Sequence, residues 1–167
     1  MGDGSCCSPG REPGQGAAAH ARPAAGAGSG DGAHLVRLEG GAFLMGTDDR
    51  DGFPADGEGP VRRVRLRPFE IDPVCVSNDR FARFVAETGH VTDAERYGWS
   101  FVVAILLPEG FPDTRAAVQA PWWRQAVGAS WLHPEGPGSH LEGRGDHPAV
   151  HVSWNDATAY CAWAGLR

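Results

Sequence analysis

The chain has 167 residues, 41% of them apolar, and a formal net charge of −6, with 15 basic residues against 21 acidic ones. That apolar content is enough for one domain with a core, and the acidic balance excludes a protein held on nucleic acid by a basic face. No run of about 18 apolar residues and no apolar leader core occurs, so neither a membrane span nor a secretory signal is predicted. The cytoplasm is the expected compartment. Every basic residue is arginine, a bias no single site requires and one that a GC-rich bacterial coding sequence produces.

Residues 1–33 read as a disordered tail of Gly, Ala, Pro, Ser and charge. Such a segment has too little apolar surface to offset the roughly 1–2 kcal/mol per residue of backbone ordering. Cys6 and Cys7 fall in it. Adjacent cysteines lack zinc-ligand spacing, so a non-catalytic tail is the first reading and a metal-handling or redox role the second. The folded part is expected over residues 34–167. Leu35 to Leu38 and Phe43 to Met45 flank Glu39-Gly40-Gly41, a pattern that predicts a hairpin. Residues 47–59 are acidic and glycine-rich but lack the regular Asp spacing of a calcium loop, so they read as a solvated connection. Residues 61–71 predict one long edge strand, with Val64 and Leu66 on one side and Arg63, Arg65 and Arg67 on the other, bent at Pro68.

Ser77 is a good N-cap, Phe81, Phe84 and Val85 follow at helical spacing, and Gly89 supplies the stop, which predicts the first helix. From Thr92 the chain passes through a polar turn into the apolar run 99–107. The run's length and β-branched content predict a buried strand ended by Pro108. Residues 108–120 read as an insertion without assigned function. From Pro121 to Gly165 the chain carries five of the six tryptophans. Each brings a large apolar ring and one N–H to satisfy, so a specifically shaped loop packed on a core is expected. A second helix closes it, with Ser153 and Asp156 as a capping box, Trp154, Ala157, Cys161 and Ala164 at helical spacing, Tyr160 beside them, and Gly165 as the stop. The two helices are expected to pack together or on one small sheet.

His133, His140, His147 and His151 cluster in sequence, but no metal-ligand spacing links them, and His133 and His147 each precede proline. They read first as structural histidines in a packed loop, with metal ligation as the alternative. Cys75 and Cys161 are open to three readings: buried apolar residues, a disulfide, or a nucleophile. The helical position of Cys161 favours inert packing, because a reactive thiolate needs exposure and positive neighbours.

Four stretches occur in one order: GGAFLMGTDD at 40–49, PFEIDPVCVSNDRFARFVAETGHVTDAERYGWSF at 68–101, WLHPEGP at 131–137, and DHPAVHVSWNDATAYCAWAG at 146–165. Together they resemble the sulfatase-modifying factor family and, within it, the formylglycine-generating enzymes. The resemblance implies an irregular α+β fold related to C-type-lectin-like folds. It also implies oxidation, by oxygen, of a sulfatase cysteine in a Cys-x-Pro-x-Arg context to formylglycine. It further implies copper(I) held by two cysteines, a use that suits soft thiolates, together with structural calcium. Both metal sites are expected in a C-terminal half that members carry beyond the position of Arg167. This chain is therefore expected to be the N-terminal part of such a domain, inactive by itself, with neither a catalytic residue nor a metal ligand.

In some relatives a cysteine at the position of Cys161 bonds to one in that half. An apolar patch of Trp154, Tyr160, Cys161 and Trp163 is expected to be exposed. Ala94, Trp99 and Ser100 match family positions lining the substrate groove. Some relatives carry Asp where Trp99 stands, so stacking or apolar contact replaces a carboxylate contact there. The bland alternative makes both Trp99 and Ser100 core residues. The implied partner is a sulfatase polypeptide, with a monomeric full-length form, no nucleic acid and no membrane. Two other functions compete: a non-catalytic relative that binds sulfatases or other peptides, and the corresponding domain of an iron-dependent sulfoxide synthase, whose His-x-x-x-His-x-Glu-like motif is absent.

Overall fold

A computed structural model describes residues 35–167; the tail reading of residues 1–33, with Cys6 and Cys7, lies outside them. The described residues divide into two compact units, 35–74 and 75–167. The expected α+β class holds: three helices stand with antiparallel sheets of two, two and three strands.

The first unit holds β1 (Val36–Leu38), β2 (Gly41–Met45), β3 (Arg62–Leu66) and β4 (Phe69–Ile71). The hairpin expected between β1 and β2 does not form. Instead β1 pairs with β4, placing Leu38 opposite Phe69, and β2 pairs with β3, placing Gly41 opposite Leu66. The reason lies at Gly40, which adopts φ +74° against the facing backbone: a Cβ there would stand 2.6 Å from the Leu66 carbonyl oxygen. The chain thus turns a corner at Gly40 opposite Pro68, which has no N–H to give a ladder. Pro68 splits the single strand expected over 61–71 into β3 and β4, the bend anticipated there. The acidic connection from Thr47 to Gly59 is organised by its own groups. Glu58 accepts the Phe53 N–H through Oε2 at 2.7 Å, Asp48 Oδ1 accepts the Val61 N–H at 3.1 Å, and the Thr47 N–H donates to the Glu58 carbonyl at 3.0 Å. No described residue of this unit is buried.

The second unit holds α1 (Asn78–Thr88), α2 (Asp93–Tyr97), β5 (Trp99–Val103), β6 (Ala116–Ala117), β7 (Ala120–Val127) and α3 (Trp154–Ala164). The Ser77 hydroxyl accepts the Arg80 N–H and Gly89 ends α1 with φ +66°, as the sequence leads one to expect. Helices α1 and α3 pack together through an aromatic core. Phe81 and Phe84 meet edge-on at 5.4 Å, Phe81 meets Trp131 at 5.3 Å, and Phe84 meets Tyr160 at 5.5 Å. Burying each such side chain contributes about 1.5–3 kcal/mol, so this cluster is the main stabilising element of the unit.

Several expectations are corrected in this unit. The polar turn after Thr92 is a short helix, α2, whose capping box joins the Thr92 side chain to the Glu95 N–H and the Glu95 carboxylate to the Thr92 N–H. The buried strand expected over 99–107 ends at Val103 and gives way to a 3-10 turn over Ala104–Leu106, with Ile105 87% exposed. Since β5 is an outer strand of the order β5-β7-β6, it buries one face, and Val102 is its only fully buried residue. The Pro121-Trp122-Trp123 stretch, expected as a loop, is part of β7, and the insertion before it contributes β6.

Helix α3 carries the predicted Ser153–Asp156 capping box and Gly165 stop. Its buried face runs through Asp156, Ala159 and Tyr160 rather than Trp154 and Ala157, so Trp154 is 83% exposed. Tyr160, expected in an exposed patch, is only 4% exposed, and Trp163 donates its indole N–H to Glu87 Oε2 at 2.8 Å.

Candidate functional site

Ala94, Trp99 and Ser100 come together at the junction of α2 and β5. Gly98 makes that junction in the left-handed region, with φ +74°, and donates its N–H to the carbonyls of Ala94 and Glu95. A residue with a Cβ is disfavoured in that conformation, so the glycine sets the direction in which β5 leaves the helix. Ala94 is 3% exposed and packs beneath the junction. Trp99 and Ser100 are half-buried on β5, and strand alternation sends them to opposite faces. Trp99 shares its face with Phe101, the two rings meeting edge-on at 5.2 Å.

The Ser100 hydroxyl lies 2.9 Å from His151 Nδ1, and the other ring nitrogen, Nε2, lies 2.8 Å from the Pro134 carbonyl oxygen. A carbonyl only accepts, so Nε2 carries the proton. Burial lowers the His151 pKa below 6.5, more strongly than the Pro134 carbonyl and the Glu135 charge raise it. The Pro134 carbonyl fixes the Nε2 proton and the Ser100 hydroxyl could either give or accept at Nδ1, so it is burial that favours the neutral ring, in which Nδ1 accepts.

The junction is fixed from below by Asp156, which is fully buried. It accepts from His90 Nε2 at 2.8 Å, from the Asp93 N–H at 3.2 Å and from the Ser153 N–H at 2.9 Å. Asp93 in turn accepts from the Ser153 hydroxyl at 2.7 Å and from Asn155 Nδ2 at 2.9 Å. These bonds tie the start of α2 to the start of α3 and to the segment after α1. The sequence reading saw Asp156 only as a helix cap and did not single out His90 or Asp93; no local spacing marks a residue pair more than sixty positions apart.

Of the four clustered histidines, His133 places Nδ1 2.7 Å from the Ser139 carbonyl oxygen and sets its ring 5.7 Å from that of His140, while His151 serves Ser100. Among the described residues no group of three or more His, Cys, Asp or Glu is placed to hold a metal ion. Cys75 is exposed and Cys161 half-buried, each as a free thiol. Burial raises the Cys161 pKa, the wrong direction for a thiolate ligand. The described residues thus do not fit the copper(I) and calcium sites the resemblance implies. No described helix is long and apolar enough to cross a membrane.

The family of sulfatase-modifying factor enzyme 1-like domains matches residues 22–167. A formylglycine-generating enzyme of Thermomonospora curvata is 59% identical over 134 residues, which cover 80% of this chain and 44% of the relative. The bovine protein named inactive C-alpha-formylglycine-generating enzyme 2 is 46% identical over 142 residues, covering 84% of this chain and 46% of that one. A hercynine oxygenase of Mycolicibacterium smegmatis is 31% identical over 137 residues, 79% of this chain and 28% of the relative. The chain spans less than half the length of each. With the family match running across nearly all of its residues, this chain belongs to the sulfatase-modifying factor enzyme 1-like domain family.

Proposed function

We propose that this chain is the part of a formylglycine-generating enzyme that receives the sulfatase polypeptide. In that reaction a cysteine in a Cys-x-Pro-x-Arg context is oxidised by oxygen to formylglycine, with copper(I) as the metal and calcium in a structural role. The observation that carries this reading is the identity gradient, 59% to a protein named as the generating enzyme against 31% to a hercynine oxygenase. An extended peptide lying along the outer edge of β5 would meet the Trp99 ring on one face and the Ser100 hydroxyl on the other. The small side chain of Ala94 would set the floor height at the junction. Trp99 would supply apolar contact and Ser100 one polar contact, so the chain's own residues bind and orient the peptide and perform no covalent step.

The test is titration of a labelled Cys-x-Pro-x-Arg peptide, with melting measured on the same samples. Loss of one neutral hydrogen bond in Ser100→Ala is expected to weaken binding roughly 2- to 13-fold, and Trp99→Ala to weaken it further because a larger contact area goes. A lowered melting temperature with unchanged affinity in both variants would remove the groove assignment. The 46% identity to a protein named as inactive favours a second reading, a non-catalytic binder of the same peptides. Because this chain's own residues perform no covalent step in either reading, mass spectrometry for an aldehyde-bearing peptide separates the two only when run on a protein of the relatives' full length.

A further inference from the structure

His151 is the one described non-glycine residue with positive φ, at +57°. For a residue with a branched ring this conformation costs roughly 1–2 kcal/mol and persists only where its surroundings impose it. The imposition is visible on both sides. Upstream, the Asn78 N–H donates to the His147 carbonyl at 2.8 Å and the Ala149 N–H donates to the Val76 carbonyl at 2.9 Å, which pins 147–149 to the start of α1. Downstream, Ser153 is committed to capping α3. Between these anchors the chain must turn, and the turn delivers the ring into the gap between Ser100 and Pro134.

We infer that His151 is a positioning residue for peptide binding. Held at Nε2 by the Pro134 carbonyl, it accepts the Ser100 O–H hydrogen bond at Nδ1 and so leaves the Ser100 oxygen as an acceptor for a peptide N–H. This rests on the peptide-binding reading above. A serine hydroxyl has one proton to give and two lone pairs. With the proton directed inward to Nδ1, only acceptor capacity faces outward. Protonation of Nδ1 would reverse the bond: the ring would donate, Ser100 would accept from it, and the hydroxyl proton would turn outward, offering a donor where the peptide presents another. The charged group acting on the ring is Glu135, which favours the protonated form; Arg144 Nη1 donates to Glu135 Oε1 at 2.7 Å and offsets that charge. The ring's burial opposes protonation, which keeps the inward bond at neutral pH.

Two measurements on the 167-residue chain test this. Long-range nitrogen–proton NMR of the histidine rings at neutral pH is expected to show His151 as the Nε2–H tautomer; an Nδ1–H tautomer or a charged ring would overturn the lock directly. Titration of the Cys-x-Pro-x-Arg peptide between pH 5 and 8 is expected to show wild-type affinity falling roughly 2- to 13-fold on acidification. Ser100→Ala and His151→Asn should be weak throughout and flat with pH; asparagine is the choice because it tolerates positive φ. The NMR result on wild type and the Ser100→Ala titration stand even where His151→Asn folds poorly. Wild-type binding that ignores pH and is matched by Ser100→Ala or by folded His151→Asn overturns the positioning role and leaves the peptide reading intact. An absence of wild-type binding at every pH, with the tautomer as expected, overturns the peptide reading and the positioning role with it.

Discussion

Asp156 shows how much one side chain can hold together. Its two carboxylate oxygens serve a ring nitrogen and two backbone N–H groups from three segments, entirely out of water. Asp156→Ala would leave those donors without partners, and each buried orphan costs about 1–3 kcal/mol. We expect a loss of about 3–5 kcal/mol, read as a lowered midpoint in urea. Asp156→Asn keeps one acceptor oxygen and should lose distinctly less; equal losses in the two would show that the hydrogen-bond hub is not what matters.

His151 gives a second prediction at this scale. Its pKa is lowered by burial from 6.5, so the folded chain binds fewer protons there than the unfolded chain does. Its contribution is fully present above pH 6.5 and is lost as pH falls through that value towards the folded pKa. Wild-type melting temperature should therefore drop between pH 7 and pH 5 by more than that of His151→Asn. Parallel curves would show that His151 titrates alike in both states.

At the scale of elements, the corner between β1 and β2 depends on one glycine. Gly40→Ala forces a Cβ into the left-handed region and within 2.8 Å of three backbone atoms of Leu66 and Arg67, which have no flexible end to move aside. Gly89→Ala, at φ +66° with nothing within 4 Å, has only the conformational cost of about 1–2 kcal/mol. Hydrogen exchange should show the β1 and β2 amides losing protection in Gly40→Ala, with the α1 amides of Gly89→Ala changed only near its C-terminal turn. Retained protection across the Gly40 corner would mean the strands do not depend on it.

This corner also shows where sequence reading stopped. Ser77, Gly89, Ser153 and Gly165 announce helix ends through short-range chemistry, and all four ends stand where expected. The pairing of β1 with β4 is a long-range choice that Glu39-Gly40-Gly41, read locally as a turn, does not reveal. The Thr92–Glu95 capping box is short-range chemistry of the same kind, and it makes a helix of what the polar residues alone suggest is a turn. The face of α3 was misjudged because counting apolar residues favours Trp154, whereas burial follows the polar Asp156. Ser100 enters as a candidate through family resemblance alone, and its hydrogen-bond partner His151 lies fifty-one positions away and is found only in three dimensions.

At the scale of the whole molecule, the two units differ in what can hold them folded. Residues 35–74 contain two short antiparallel pairings and no buried residue, and an isolated two-stranded ladder is marginally stable in water at best. Residues 75–167 contain both apolar clusters, one around Phe81, Phe84, Trp131 and Tyr160 and one around Val102, Ala126 and Ala129, together with the Asp156 hub. Cooperative melting requires a core that is lost all at once, so the transition of the chain should belong to residues 75–167. A fragment of those residues is expected to melt cooperatively by near-ultraviolet circular dichroism, with the aromatic signal of the Phe81–Tyr160 cluster retained. Residues 35–74 alone should show no cooperative transition. A fragment 75–167 that has lost the aromatic signal would show that its clusters and hub are not sufficient to hold it folded.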